Sequence, residues 1–150
     1  METRQGRMVI AISSQGDFAR TRTAKRVARI LFSFFFAAAC VFHFIEADGF
    51  AQMLPDFVPL RLPIIYVTGV MELALGVLLL IPGTMKLTGT LIALYLVLVF
   101  PANIYAAVKH IPAPGFGSTP PAALWIRLIF QPLLIWWVLW CSRGRGTPAY

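Results

Sequence analysis

Long runs of apolar residues dominate the chain and divide it into four segments. Turn and loop residues separate the segments, with "DG" and Pro55 in the first connection, "PGTMK" in the second and "HIPAPGFGSTPP" in the third. A helix that crosses a bilayer needs about 20 mainly apolar residues. The pattern therefore predicts an all-α integral membrane four-helix bundle. The predicted helices cover residues 28–47, 63–82, 87–108 and 122–141.

Composition supports a membrane protein. Of the 150 residues, 59% are hydrophobic and 13% are charged, whereas soluble domains average about 45–50% apolar and about 25% charged residues. The sequence carries no Ser-His-Asp set, phosphate loop or nucleotide fingerprint. Catalytic residues are therefore not assigned, and whether the protein is an enzyme stays open.

Basic residues near the N-terminus predict the orientation of the helices. We expect residues 1–27 to form a loosely ordered cytoplasmic tail that contacts anionic lipid, and residues 142–150 to form a short cytoplasmic tail. The basic segment has no aromatic-basic RNA motif beside it, so we expect no nucleic-acid partner. The net charge is +7, and its main N-terminal contributors are Arg4, Arg7, Arg20, Arg22, Lys25, Arg26 and Arg29.

One glutamate, Glu72, interrupts the apolar stretch "TGVMELALGVLLLIP". A charged side chain at a helix centre in the bilayer costs about 2.5–3.5 kcal/mol on insertion scales, and such residues normally face the bundle interior and pair. Gly69 and Gly76 share its helix face and would let a neighbouring helix approach closely. We expect Glu72 to face inward, either paired with Arg127 or His43 or protonated.

Polar residues from every helix fall in the half of the bundle predicted to face outward. Two pairs of them share a helix face, at spacings of three and four residues. Pro101 and Pro132 free backbone carbonyls close to this set. The pattern predicts one shared polar site that opens outward. Its candidate residues, for ligand binding or proton handling, are His43, Glu46, Glu72, Asn103, Arg127 and Gln131.

Each candidate also has a purely structural interpretation. Glu72 and Arg127 could form a pair that only joins helices, and His43 and Glu46 could face interfacial water. Asn103 and Gln131 favour hydrogen bonds between helices. Because the ligand set around His43 and Glu46 is incomplete, we expect no metal site.

Two further features concern the ends of the bundle. Cys40 and Cys141 should lie at different depths, so we expect no disulfide between them. The first outer loop, "DGFAQMLPDFVPLRLP", is unusually apolar. We expect it either to lie in the membrane interface or to fold back over the bundle, and its prolines disfavour a long helix.

Several motifs resemble the DoxX-like family of small bacterial membrane proteins. They are His43–Phe44, Gly69-x-x-Glu72 with Gly76, "PAN" at residues 101–103, and Arg127 followed by Gln131. The resemblance covers about residues 28–141. It implies a four-helix bundle in the bacterial cytoplasmic (inner) membrane. Founding members are subunits of a thiosulfate:quinone oxidoreductase, others belong to redox complexes, and distant relatives are assembly chaperones.

The residues and the resemblance together give two hypotheses for function. In the first, the cavity binds a lipophilic molecule such as a quinone. Arg127, Gln131 or Asn103 would hydrogen-bond its carbonyl, and Glu72 or His43 would handle protons. In the second, the protein is a non-catalytic subunit that docks another membrane or redox protein. A small-solute carrier is less favoured, because four helices leave little room for alternating access.

Overall fold

The computed structural model describes the backbone of residues 4–143 and the side chains of residues 19–143. The described chain is all-helical, as predicted. The short helix α2 is Ala47–Gln52, and four longer helices are long and apolar enough to cross a membrane. These are α1 (Arg4–Ile45), α3 (Arg61–Leu80), α4 (Met85–Val108) and α5 (Pro121–Ser142).

The observed ends of α3, α4 and α5 lie within two residues of the predicted ones. The start of α1 differs, because the helix begins at Arg4 and runs through the segment expected to be a loose tail. Residues 19–27 are rich in Ala, Arg and Lys, which favour helix, and contain no proline. The apolar span therefore continues into a polar helical extension. Residues 1–3 and 144–150 of the two predicted tails lie outside the described residues.

Helix α1 packs against α3, and α4 packs against α5. The contact between α1 and α3 depends on the glycines beside Glu72. A Cβ on Gly76 would lie 3.3 Å from Cβ of Phe36, and the Ser33 hydroxyl donates a 2.8 Å hydrogen bond to the Gly76 carbonyl. A Cβ on Gly69 would lie 2.8 Å from Cβ of His43. The predicted close approach of a neighbouring helix along this face is confirmed.

The two ends of the bundle differ in charge. At one end, which we call the basic end, side chains of α1 reach the last carbonyls of α5. Lys25 donates to the Arg143 carbonyl at 2.6 Å, and Arg29 donates to the Cys141 carbonyl at 3.0 Å. Cations at a helix C-terminus satisfy carbonyls that have no partner within the helix and oppose the negative end of its dipole. These contacts fix the end of α5 against α1.

The opposite end, which we call the α2 end, is covered by α2 and the loop after it. Phe50 of α2 stacks on the His43 ring, with 4.1 Å between ring centroids. Met53, directly after α2, is buried. This apolar connection therefore folds back over the bundle, which was one of the two expected arrangements. It contains only the six-residue helix α2, in keeping with its prolines.

Candidate functional site

A cavity of about 890 Å³ lies inside the bundle. Side chains from all five helices and from the loop after α2 line it, and most of them are apolar. Sequence reasoning nominated six polar residues for a shared site. The structure brings five of them to this cavity, namely His43, Glu72, Asn103, Arg127 and Gln131.

Glu46, the sixth candidate, lies apart from the cavity. It is half-buried at the start of α2. Its side chain lies beside the loop between α4 and α5, where a Cβ on Gly115 would be 3.6 Å from its Cγ. The chain turns between α1 and α2, so the spacing of three residues from His43 does not place the two side chains together.

The first polar cluster joins α1, α3 and α4, and we call it the Glu72 cluster. Glu72 is buried. Tyr95 donates its hydroxyl to Oε1 of Glu72 at 2.8 Å. Nδ1 of His43 lies 3.2 Å from Oε2 of the same carboxyl group. The expected contact between Glu72 and His43 is therefore present.

The His43 ring has a second neighbour that governs its proton. Its Nδ1 lies 2.8 Å from the Ala39 carbonyl oxygen, one turn earlier on α1. A carbonyl oxygen can only accept, so this hydrogen bond requires a proton on Nδ1. That proton is directed at Ala39, and Oε2 of Glu72 is left buried without a hydrogen bond.

The second polar cluster joins α4 and α5, and we call it the Arg127 cluster. Nη2 of Arg127 donates to Oδ1 of Asn103 at 2.7 Å. Nδ2 of Asn103 donates to Oε1 of Gln131 at 2.7 Å. Nε2 of Gln131 donates to the Leu96 carbonyl at 2.5 Å. The interhelical hydrogen bonds expected for Asn103 and Gln131 are confirmed.

Gln131 bonds to the backbone of α4 close to Pro101, but not to the carbonyl that the proline was expected to free. Pro101 lies inside that helix and lacks an N–H group. The Leu96 carbonyl, one residue before the carbonyl that Pro101 leaves without its helical partner, accepts the Gln131 bond. The amide side chain thus hydrogen-bonds to the helix backbone one residue away from the carbonyl that the proline leaves without a partner.

Arg127 does not pair with Glu72, although the sequence made it a candidate partner. Its described partners are Asn103 and the sulfur of Met53, at 2.7 and 3.5 Å from Nη2. The remaining nitrogen, Nη1, is buried without a hydrogen bond. Asn103 provides an amide oxygen from the adjacent helix, so Arg127 and Glu72 lie in separate clusters.

Each cluster therefore holds one unsatisfied atom. They are Oε2 of Glu72, an acceptor, and Nη1 of Arg127, a donor. Among the described residues these two are the buried side-chain nitrogen and oxygen atoms without a hydrogen bond. A buried polar group left unsatisfied costs about 1–3 kcal/mol. One atom is an acceptor and the other is a donor, and both belong to residues that line the same cavity. A ligand that supplies their missing hydrogen bonds would complete the site.

The cavity extends from these clusters to the flank of the bundle. Several side chains that line it are also exposed on the outer surface, so the cavity reaches the surface that a bilayer would cover. These residues are Phe35, Leu98, Phe130, Leu133 and Trp136. A molecule with an apolar body could enter here without crossing water.

Three residues of the site were not foreseen as such. Tyr95 stands in the apolar run "TLIALYLVLV", where a tyrosine is easily taken for a packing residue. Its place near the middle of α4, at a depth comparable to that of Glu72, was the available signal. Phe50 and Met53 belong to the apolar loop, and only the fold shows that they cover His43 and contact Arg127.

The two cysteines take no part in the polar clusters or the cavity. Cys40 and Cys141 are both buried free thiols, and neither lines the cavity. Within the part of the chain that the structure describes, no group of three or more His, Cys, Asp or Glu side chains could hold a metal ion.

Comparison with known proteins gives one result. A family model described as Domain of unknown function (DUF8561) matches residues 32–142, a range that includes α2–α5 and every residue of the two clusters. No curated protein and no solved structure matches the chain. Because the model covers most of the sequence, the chain belongs to the family of the Domain of unknown function (DUF8561).

Proposed function

We propose that the protein is a DoxX-like, multi-pass protein of the bacterial cytoplasmic membrane that binds a lipophilic small molecule of the quinone class. The observation that carries this proposal is the pairing of a large apolar cavity with unsatisfied atoms on Glu72 and Arg127. Small-molecule sites are mostly apolar clefts of about 300–1,000 Å³ with a few placed polar groups. The cavity of about 890 Å³ falls in that range.

The polar clusters would bind the head of the ligand. Nη1 of Arg127 donates to a ligand oxygen, while Asn103 and Gln131 hold the guanidinium in place. Glu72 accepts or exchanges a proton at the same head, with Tyr95 holding its carboxyl group through Oε1 and His43 packed 3.2 Å from Oε2. Met53 contributes only a weak sulfur acceptor to Arg127. An oxygen of the ligand at Nη1 would give Arg127 a stronger acceptor than this sulfur at Nη2.

The orientation follows from the distribution of charge. The basic end carries Lys25, Arg29, Lys86 and Arg143. The positive-inside rule assigns such an end to the cytoplasm, where it also contacts anionic lipid. The N- and C-termini are then cytoplasmic, and the polar clusters lie toward the outer half of the membrane. Another membrane or redox protein would be the partner that exchanges electrons with a bound quinone.

The test is to purify the protein in mild detergent, extract it with organic solvent and identify any stoichiometric lipophile by mass spectrometry. Glu72→Gln and Arg127→Ala should lose the lipophile while the protein stays helical and monodisperse. Glu46→Gln and Arg61→Ala are the matched controls, because neither residue lies in the polar clusters. They should retain the lipophile at the wild-type level.

A non-catalytic helper subunit is the second candidate function. The observation in its favour is that most polar atoms of the clusters already bond to one another across helices, as Tyr95 does to Glu72 and Asn103 to Gln131. In that case the polar core is structural, and Glu72→Gln lowers stability instead of ligand content. An empty extract from well-folded wild-type protein would favour this function over ligand binding.

A further inference from the structure

We infer that the cavity selects the reduced, hydroxyl-bearing form of its ligand, a hydroquinone, over the dicarbonyl quinone. This inference rests on the proposed function and specifies the chemistry of the ligand head. It follows from the hydrogen-bonding character of the two unsatisfied atoms and of their neighbours.

The neighbours of the Glu72 carboxyl group are donors. Tyr95 donates its hydroxyl to Oε1 at 2.8 Å. On the other side, Nδ1 of His43 carries a proton, because its 2.8 Å contact with Ala39 is to a carbonyl oxygen. Neither neighbour therefore offers an acceptor for a proton on Oε2 of Glu72, and we take the group as a carboxylate. The arrangement suits a carboxylate whose Oε2 lacks a donor.

The Arg127 cluster lacks an acceptor, whereas the Glu72 cluster lacks a donor. The oxygens of Asn103 and Gln131 already accept hydrogen bonds within the cluster, from Arg127 and from Asn103. Nη1 of Arg127 is the unsatisfied atom, and an arginine nitrogen can only donate. The cluster therefore requires an acceptor from the ligand.

A ligand that completes both clusters must donate at Glu72 and accept at Arg127. A hydroquinone does both, because one hydroxyl donates to Oε2 and the other oxygen accepts from Nη1. A quinone carries only acceptors, so it satisfies Arg127 but brings a carbonyl oxygen to an unsatisfied carboxylate. The two forms have nearly the same size and apolar body, and they differ at the contact with Glu72.

The experiment compares the two redox forms of one short-chain benzoquinone. Purified full-length protein is titrated anaerobically with the quinone and, in a separate series, with its hydroquinone kept reduced by dithionite. Binding is followed through the fluorescence of Trp136 and Trp137, which line the cavity, and is checked by calorimetry. Wild-type protein, Glu72→Gln, Arg127→Ala and the control Glu46→Gln are compared.

We expect wild-type protein and Glu46→Gln to bind the hydroquinone roughly tenfold or more tightly than the quinone, the effect of one well-placed hydrogen bond. Glu72→Gln should lose or reverse this preference, because its amide N–H can donate to a quinone carbonyl while its oxygen still accepts from Tyr95. Arg127→Ala should weaken the binding of both forms, because each form presents an oxygen that accepts a hydrogen bond from Nη1 of Arg127.

Other outcomes overturn the inference in distinguishable ways. Equal affinity for the two forms, or tighter binding of the quinone by wild-type protein, would contradict the preference for hydroquinone but would not contradict the proposed function. An unchanged preference in a folded Glu72→Gln variant also removes it. If neither form binds to well-folded wild-type protein, the proposed binding of a quinone-class ligand fails as well.

Discussion

Gly69 and His43 meet so closely that a Cβ on the glycine would lie 2.8 Å from Cβ of the histidine. This contact sets the distance between α1 and α3 at the level of the Glu72 cluster. It explains why a side chain near the end of α1 can reach a carboxyl group far along α3, at 3.2 Å. Gly69 is therefore needed both for the packing of α1 against α3 and for the contact between His43 and Glu72.

Gly69→Ala should destabilise the protein and separate His43 from Glu72. Overpacking a close contact typically costs about 1–3 kcal/mol, because the added methyl group forces α1 and α3 apart. The measurement is thermal unfolding in detergent, followed by circular dichroism. Gly83→Ala is the control, since a Cβ there meets nothing within 4 Å. Equal unfolding temperatures for the two variants would contradict the proposed role of this contact.

Tyr95→Phe should lower stability through the Glu72 carboxyl group. The variant keeps the ring and its packing but removes the hydroxyl that donates to Oε1 at 2.8 Å. Both carboxyl oxygens then lack a hydrogen bond, at a cost of about 1–3 kcal/mol. Chemical unfolding in mixed micelles measures the loss.

Tyr66→Phe provides the comparison for that experiment, because Tyr66 is exposed on α3. Its free energy of unfolding should match that of the wild type. A double variant, Tyr95→Phe with Glu72→Gln, should lose less than the sum of the two single changes, because Glu72→Gln weakens the same hydrogen bond that Tyr95→Phe removes. Strict additivity would show that Tyr95 and Glu72 are not coupled.

Arg29→Ala should loosen the last turn of α5. The Cys141 carbonyl loses its 3.0 Å hydrogen bond, and the positive charge at the helix C-terminus is lost with it. A loss of about 1 kcal/mol corresponds to an increase of about fivefold in local opening. The buried Cys141 thiol reports this opening through its rate of maleimide labelling, located by peptide mass spectrometry.

Arg26→Ala is the matched change on the same helix, because Arg26 is exposed. It should leave the labelling rate of Cys141 at the wild-type value. A similar increase in both variants would assign the effect to net charge at the basic end and not to the hydrogen bond from Arg29.

The proposed orientation predicts opposite accessibility for two loops. Gly83→Cys lies in the turn between α3 and α4, and Gly117→Cys lies in the loop between α4 and α5. In intact cells a membrane-impermeant maleimide should label the second and not the first. Both should react after permeabilisation. The reverse pattern would place the basic end outside the cytoplasm and would overturn the orientation.

The helix positions could be predicted from sequence because length and apolarity are local properties. The sequence limited the partners of Glu72 to His43 and Arg127 but did not decide between them, because the choice depends on how each helix is rotated and on how far its ends are offset along the bundle. His43 lies two residues from the end of α1, yet it contacts Glu72 in the middle of α3. Depths counted along separate helices therefore could not determine which side chains meet.

The loop over the α2 end illustrates a second limit. Its apolar character was visible in the sequence, but two arrangements were compatible with it. The loop folds back over the bundle, because Phe50 stacks on His43 and Met53 contacts Arg127. Met53 and Arg127 are distant in sequence, and Phe50 reaches His43 across the turn between α1 and α2, so neither contact follows from a helical periodicity.

Helix α4 takes part in both polar clusters, and this has a mechanical consequence. Tyr95 holds Glu72 from one side of Pro101, and Asn103 holds Arg127 from the other. Pro101 removes one backbone hydrogen bond of α4 between these two residues. A change of backbone angle at this point would move Tyr95 relative to Asn103, and with them Glu72 relative to Arg127, so the spacing of the two clusters depends on a weakened point of one helix.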